Sequence, residues 1–201
     1  TTMAAAAKDR DLVNVLRNPF SLTPGFNGAD QPRGDKPVFD EVLQSWIATF
    51  VMASINTKNI HRSNMLRGHK YGTDFVYDEM MMTGPGEKGE AIANHIASDN
   101  SMAEDPRQPG EGPDKEEREN GMYDVLFVGQ ATNGDLVKVS VQGDKDPGYG
   151  STSKMIAESA VCLLKNPETA SGGIWTPAPA MGSLLIERLQ ANAGLTFTVE
   201  S

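Results

Sequence analysis

The chain has 201 residues, with 18 Lys plus Arg against 27 Asp plus Glu, for a formal net charge of -9. That sign excludes sequence-independent nucleic-acid binding, which needs a basic footprint on phosphate. Hydrophobic residues make up 38%, and no apolar run approaches the roughly 20 residues of a membrane span, so a soluble one-domain chain is expected. The single cysteine, Cys162, excludes an intrachain disulfide and a cysteine zinc cluster. A reducing, cytoplasmic compartment is the simplest expectation.

Thr1-Thr2-Met3 runs straight into Ala4 to Ala7 with no signal-peptide pattern. Residues 1–17 read as a helix already in progress, so a cut from a longer polypeptide is expected. Asn18-Pro19 ends that helix. Residues 18–40 are too heavily punctuated by Pro and Gly for any regular period and read as a loop. Leu43, Trp46, Ile47, Phe50, Val51 and Ser54 fall at helical spacing, which predicts one amphipathic helix over 41–66. No Asp or Glu lies between Glu41 and Asp74, so Lys58, His61, Arg62, Arg67, His69 and Lys70 form an island of positive charge.

Residues 74–83 read as a strand, and 87–97 as a helix with Ala91, Ile92, His95 and Ile96 on one face. Residues 99–120 form a charged loop of net charge -5, more than half of the total. Asn133-Gly134, between runs of alternating apolar residues, predicts a hairpin closed by a type I′ turn. Residues 151–165 read as a helix burying Ile156, Ala160, Leu163 and Leu164. Residues 180–193 read as another, with Met181, Leu184, Leu185 and Leu189 inward. Gly194 is placed to end it in the left-handed conformation, and 195–199 alternate as a closing strand. No parallel alternation of strands and helices appears. The fold class is therefore α+β, a largely antiparallel or mixed sheet with helices packed on one face.

Two places offer chemistry. The first is the C-terminal half of the 41–66 helix, where Lys58 and Arg62 suit an anion and His61 suits proton transfer. A lone histidine is more often a packing residue, and cations at a helix end also meet the dipole. The second is Gly148-Tyr149-Gly150 before a helix. The third glycine of a dinucleotide fingerprint is missing, and the preceding strand belongs to a hairpin, so no Rossmann site is expected there. What remains is a helix start with Ser151 and Thr152, suited to an anion or a carbonyl oxygen, or simply capped by them. His61, His69 and His95 lack metal-ligand spacing, so no metal is expected.

Two stretches carry a resemblance. One is Ser54-Ile55-Asn56-Thr57-Lys58-Asn59-Ile60-His61-Arg62-Ser63-Asn64, followed by Tyr71-Gly72-Thr73-Asp74-Phe75-Val76-Tyr77. The other is Asp146-Pro147-Gly148-Tyr149-Gly150-Ser151-Thr152-Ser153-Lys154-Met155-Ile156-Ala157-Glu158-Ser159-Ala160, with Gly173-Ile174-Trp175-Thr176-Pro177-Ala178 and Met181-Gly182 downstream. Together they resemble the C-terminal half of the saccharopine dehydrogenase-like oxidoreductases, in particular the bacterial trans-acting enoyl reductases.

The resemblance implies that residues 1–201 are a single substrate and dimerisation domain, its charged loop at about 99–121, whose own N-terminal Rossmann domain is absent from this sequence. It implies NAD(P) held mainly by that absent domain, a small-molecule or acyl substrate, a homodimer, and reduction of a C=C or C=N bond by hydride transfer. Alone, the chain is expected to be inactive. By this reading His61 and Tyr149 are candidate proton donors. Asn56, Lys58, Arg62, Asn64, Ser151, Thr152 and Lys154 are candidate substrate ligands. The alternative is a non-catalytic acyl-binding, lipid-binding or oligomerisation module.

Overall fold

A computed structural model describes residues 9–99 and 112–200. The fold is α+β, with six α-helices and two three-stranded antiparallel sheets among the described residues. The chain forms two compact units, Thr1–Asp105 and Pro106–Ser201, each with its own sheet.

The first unit opens with α1 (Arg10–Arg17), capped by the Asp9 carboxylate, which accepts from the amides of Asp11 and Leu12. Residues 1–8, expected to begin this helix, lie outside the described residues. The expected loop at 18–40 contains a short strand at its end, β1 (Val38–Asp40), which pairs with β2 (Ser45–Thr49).

β2 corrects the helix expected from residue 41. The Asp40 carboxylate accepts from the amides of Val42 and Leu43, and Gln44 takes a left-handed φ of 50°. A tight turn results, and it delivers Trp46, Ile47 and Thr49 into a ladder. A short apolar run fits both periods, and the Asp40 turn ahead of it decides for the strand. The helix α2 spans Ala53–Leu66, and Val51 is left exposed ahead of it.

Only the end of the expected 74–83 strand pairs, as β3 (Met80–Gly84) on β2. Upstream, a side-chain amide takes the place of a neighbouring strand. Gln31 donates Nε2 to the Phe75 carbonyl at 3.2 Å and accepts the Tyr77 amide at 2.9 Å. Helix α3 (Gly86–Ser98) packs on β2 and β3 through Gly89 and Ala93, while Ala91, Ile92 and His95 face solvent.

The second unit begins with α4 (Lys115–Asn120), a helix inside the expected charged loop. Asp114 and Glu117 close it with a reciprocal capping box. Residues 100–111 of that loop lie outside the described residues. The hairpin forms as expected, with β4 (Tyr123–Gln130) paired to β5 (Leu136–Gly143) from Tyr123↔Gly143 to Gln130↔Leu136. Its turn differs. Asn133 keeps a negative φ and only Gly134, at 90°, is left-handed. The Gly134 amide donates to the Ala131 carbonyl and the Ala131 amide to that of Asp135, a type I turn followed by a glycine bulge.

Helix α5 (Gly150–Lys165) packs on α6 (Pro177–Asn192), and α6 packs on β6 (Leu195–Glu200), which pairs with β5. Gly194 ends α6 at φ 71° with Leu195 buried behind it, as the sequence predicts. Gly182 interrupts α6 at φ 52°, ψ -132°, a conformation open only to glycine. The core is Cys162, Ala180, Met181, Leu185, Leu189, Ala193 and Leu195. Each buried leucine there contributes about 1.5–3 kcal/mol relative to exposure.

The face of α5 expected to be buried is exposed instead. Ile156 is 68% exposed and Leu164 80%, with Leu163 and Ala160 beside them. The inward face is the more polar one, with Ser151, Met155, Glu158, Ser159 and Cys162. Glu158 reaches inward because Arg188 on α6 meets it at 2.5 Å. An internal ion pair thus orients the helix against its own apolar pattern.

Candidate functional site

The candidate residues fall into two groups, one in each unit. In the first unit, α2 positions them. His61 is only 3% exposed. Its ring lies 4.5 Å from Phe20 and 5.8 Å from Phe75, and its buried Nε2 has no hydrogen-bond partner. Burial lowers its pKa below the ordinary imidazole value, so it is held neutral at pH 7. Arg62 donates Nη1 to the Leu22 carbonyl at 2.8 Å. Lys58 donates to the Ser54 carbonyl of its own helix, and burial lowers its pKa.

Asn64 is buried and organises the chain after α2. Its amide donates to the Gly72 carbonyl at 2.8 Å, and its side-chain oxygen accepts the Tyr71 amide at 2.9 Å. Asn56 donates Nδ2 to Glu79 Oε1 at 3.0 Å, and the Tyr77 hydroxyl reaches the other oxygen of Glu79 at 3.4 Å. Burial first, then the charge and hydrogen bond of Glu79 with the charge of Asp78, push the Tyr77 hydroxyl up to about 12. It therefore keeps its proton at neutral pH and donates a hydrogen bond to the Glu79 carboxylate.

In the second unit the helix start is already filled. The Asp146 carboxylate accepts from the amides of Gly148, Tyr149 and Gly150, and the Asp146 carbonyl accepts from Ser151. The Gly150 hydrogen bond, then those of Tyr149 and Gly148 and the Arg118 charge, outweigh desolvation and hold its carboxyl below the usual range. The protein thus supplies its own anion where the sequence offered a place for a ligand's. A dinucleotide phosphate does not fit a cradle whose amides are spent in this way.

Ser151 is fully buried, its Oγ 2.9 Å from the Tyr123 hydroxyl. Thr152 donates to the Pro147 carbonyl. Lys154 lies 3.9 Å from Asp144 in an exposed pair. Tyr149 is 52% exposed, against 3% for His61.

Sequence reasoning missed Glu79, Tyr77 and Asp146. An Asp two residues before a glycine at a helix start is a readable signal for the last of these. Glu79 carried no comparable local signal. An open depression of about 440 Å³ lined by Asp114, Glu116, Glu117, Asn120 and Gly121 contains none of the candidates. Among the described residues, no three His, Cys, Asp or Glu side chains are grouped as metal ligands. Among them, no helix is long and apolar enough to cross a membrane.

No protein-family profile matches the chain, and no solved structure does. Among curated proteins, a Mycobacterium tuberculosis protein provisionally named a trans-acting enoyl reductase is 31% identical over 225 residues, covering 97% of this chain and 53% of its own length. The trans-acting enoyl reductases of Mycobacterium bovis and Mycobacterium ulcerans are 28% and 27% identical over 215 residues, covering 93% of this chain and 51% of theirs. The chain therefore spans about half the length of the curated relatives it matches.

Proposed function

We propose that the chain is the substrate-binding and dimerisation half of an NAD(P)-dependent enoyl reductase of the saccharopine dehydrogenase-like type. The observation that carries this reading is the alignment of proteins named trans-acting enoyl reductase along nearly all of the chain. When bound, the dinucleotide supplies the hydride. It is held mainly by the half of the parent protein that this chain does not include. The residues here orient an acyl substrate and deliver a proton.

Arg62 and Lys58 supply positive charge for an anionic group of the substrate, and Asn56, elsewhere on the same helix, is fixed by Glu79. In the second unit, taken by itself, Tyr149 is the candidate proton donor, its ring half exposed. His61 serves only after the rings around it part, because its imidazole is enclosed. Asn64, Ser151, Thr152 and Lys154 hold the backbone and helix start that position these groups.

The exposed apolar stripe on α5 favours a second reading, an assembly or acyl-binding module without catalysis. Oxidation of NADPH or NADH by the full-length parent with a panel of enoyl-acyl substrates separates the two. Turnover that falls in Tyr149→Phe supports the reductase and its donor. Absence of dinucleotide binding by the parent overturns the reductase reading.

A further inference from the structure

We propose that His61 is an acid-operated latch, whose protonation releases the loop carrying Phe20 and Phe26 from α2. Four rings form the clamp. Phe20 packs against His61 with centroids 4.5 Å apart, and Phe26 against His69 at 4.2 Å, both ring pairs tilted. The two phenylalanines meet edge to face at 6.0 Å and 86°. The loop between them is closed on itself by Thr23, which is 2% exposed and donates Oγ1 to the carbonyls of Phe20 and Phe26. Besides the rings, the Arg62 guanidinium bound to the Leu22 carbonyl ties it to α2.

The clamp holds two imidazoles, and His69 also buries a ring nitrogen, Nδ1, without a partner, but His61 is the more enclosed of the two. Its Nε2 is buried and has no hydrogen-bond partner. A proton added there creates an N–H donor with no acceptor in an apolar enclosure of Phe20 and Phe75. Attraction of a cation to the ring faces offsets part of that cost.

The surrounding charges do not supply the rest. Own-helix neighbours are Lys58 and Arg62. The segment after the helix carries Arg67, His69, Lys70, Asp74, Asp78 and Glu79, with Tyr71 and Tyr77, and the loop side carries Arg17 and Asp30. Arg67 lies over the Tyr71 ring and Glu79 is bound to Asn56. None of the carboxylates hydrogen-bonds Nε2. Burial already lowers the affinity of this imidazole for a proton.

The latch is tested by amide hydrogen exchange on the whole chain between about pH 8 and about pH 5, expressed as protection factors. Thr23 and Phe26 are the reporters, since both amides are hydrogen-bonded within the loop. Ile47 and Ala48 in β2 are the reference. The expected result is a fall of about tenfold at the reporters with β2 unchanged, and no such fall in His61→Phe. A constant protection, an equal fall in β2, or a fall that persists in His61→Phe overturns the proposal. If His61→Phe does not fold, the unmutated chain decides by NMR. The loop must open at the midpoint of the His61 ring titration, and a midpoint shared instead with His69 or His95 overturns it.

Discussion

The Asp146 carboxylate accepts the Gly150 amide at 2.5 Å and so closes the N-terminus of α5 from within the chain. The helix start is thereby stable and already neutralised. Asp146→Ala lowers the melting temperature by several degrees at pH 7, and Asp146→Asn by less. Because its folded pKa lies below the ordinary value of 3.8, this stabilisation is present above that pH and is lost as pH falls through the folded pKa. In Asp146→Ala the freed amides of Gly148, Tyr149 and Gly150 donate to an external anion. Added phosphate then raises the melting temperature of the variant and not of the parent. Thermal scans with and without phosphate check both statements.

Tyr123 and Ser151 form a closed hydroxyl pair at the foot of the second sheet. Tyr123→Phe leaves the fully buried Ser151 hydroxyl short of a partner and costs about 2 kcal/mol. Ser151→Ala costs about 1 kcal/mol, and the double variant costs less than the sum. Urea denaturation of the four proteins measures the coupling. Strict additivity would return Ser151 to the pool of free ligands.

Gly89 sits where a Cβ would lie 1.9 Å from the Gly84 carbonyl oxygen. Two effects compete in Gly89→Ala. Alanine gains about 1 kcal/mol of helix propensity. The backbone collision costs about 3 kcal/mol, the upper end for overpacking, because no flexible side chain is there to yield. Net destabilisation of about 2 kcal/mol is expected from the urea midpoint. A stabilised variant would show that α3 slides freely over β3.

Ile156 and Leu164 are the most exposed apolar residues of α5. Their replacement by Lys alters stability by no more than about 0.5 kcal/mol. Sedimentation velocity is expected to show less self-association than in the parent. A loss of several kcal/mol would instead place both residues inside the folded chain.

The sequence was legible where one signal stood alone. Gly194 with Leu195 marks a helix end, and the alternation of Val137, Val139 and Val141 marks a strand, though its buried residue is Ser140 on the other face. It misled where two signals overlapped. Trp46 and Ile47 satisfy a helical spacing and a strand equally, and the Asp40 turn settles the matter from outside the run. On α5 the apolar stripe was read correctly as a stripe and wrongly as the buried face. The partner of Glu158 is Arg188, thirty positions on, so no local pattern reveals which face turns inward. The candidate site shows the same division. His61 and Tyr149 are visible by residue type. Glu79 and the ring enclosure of His61 exist only through contacts distant in sequence.

The break at Gly182 bears on how the second unit comes apart. A continuous helix frays gradually from its ends. This one is two short rods joined at a glycine, and neither is long enough to persist alone in water. Each stays wound only while Met181 on one side, or Leu185 and Leu189 on the other, remains docked in the core. Loosening that core removes both rods together, so α6 melts with the sheet as a single event.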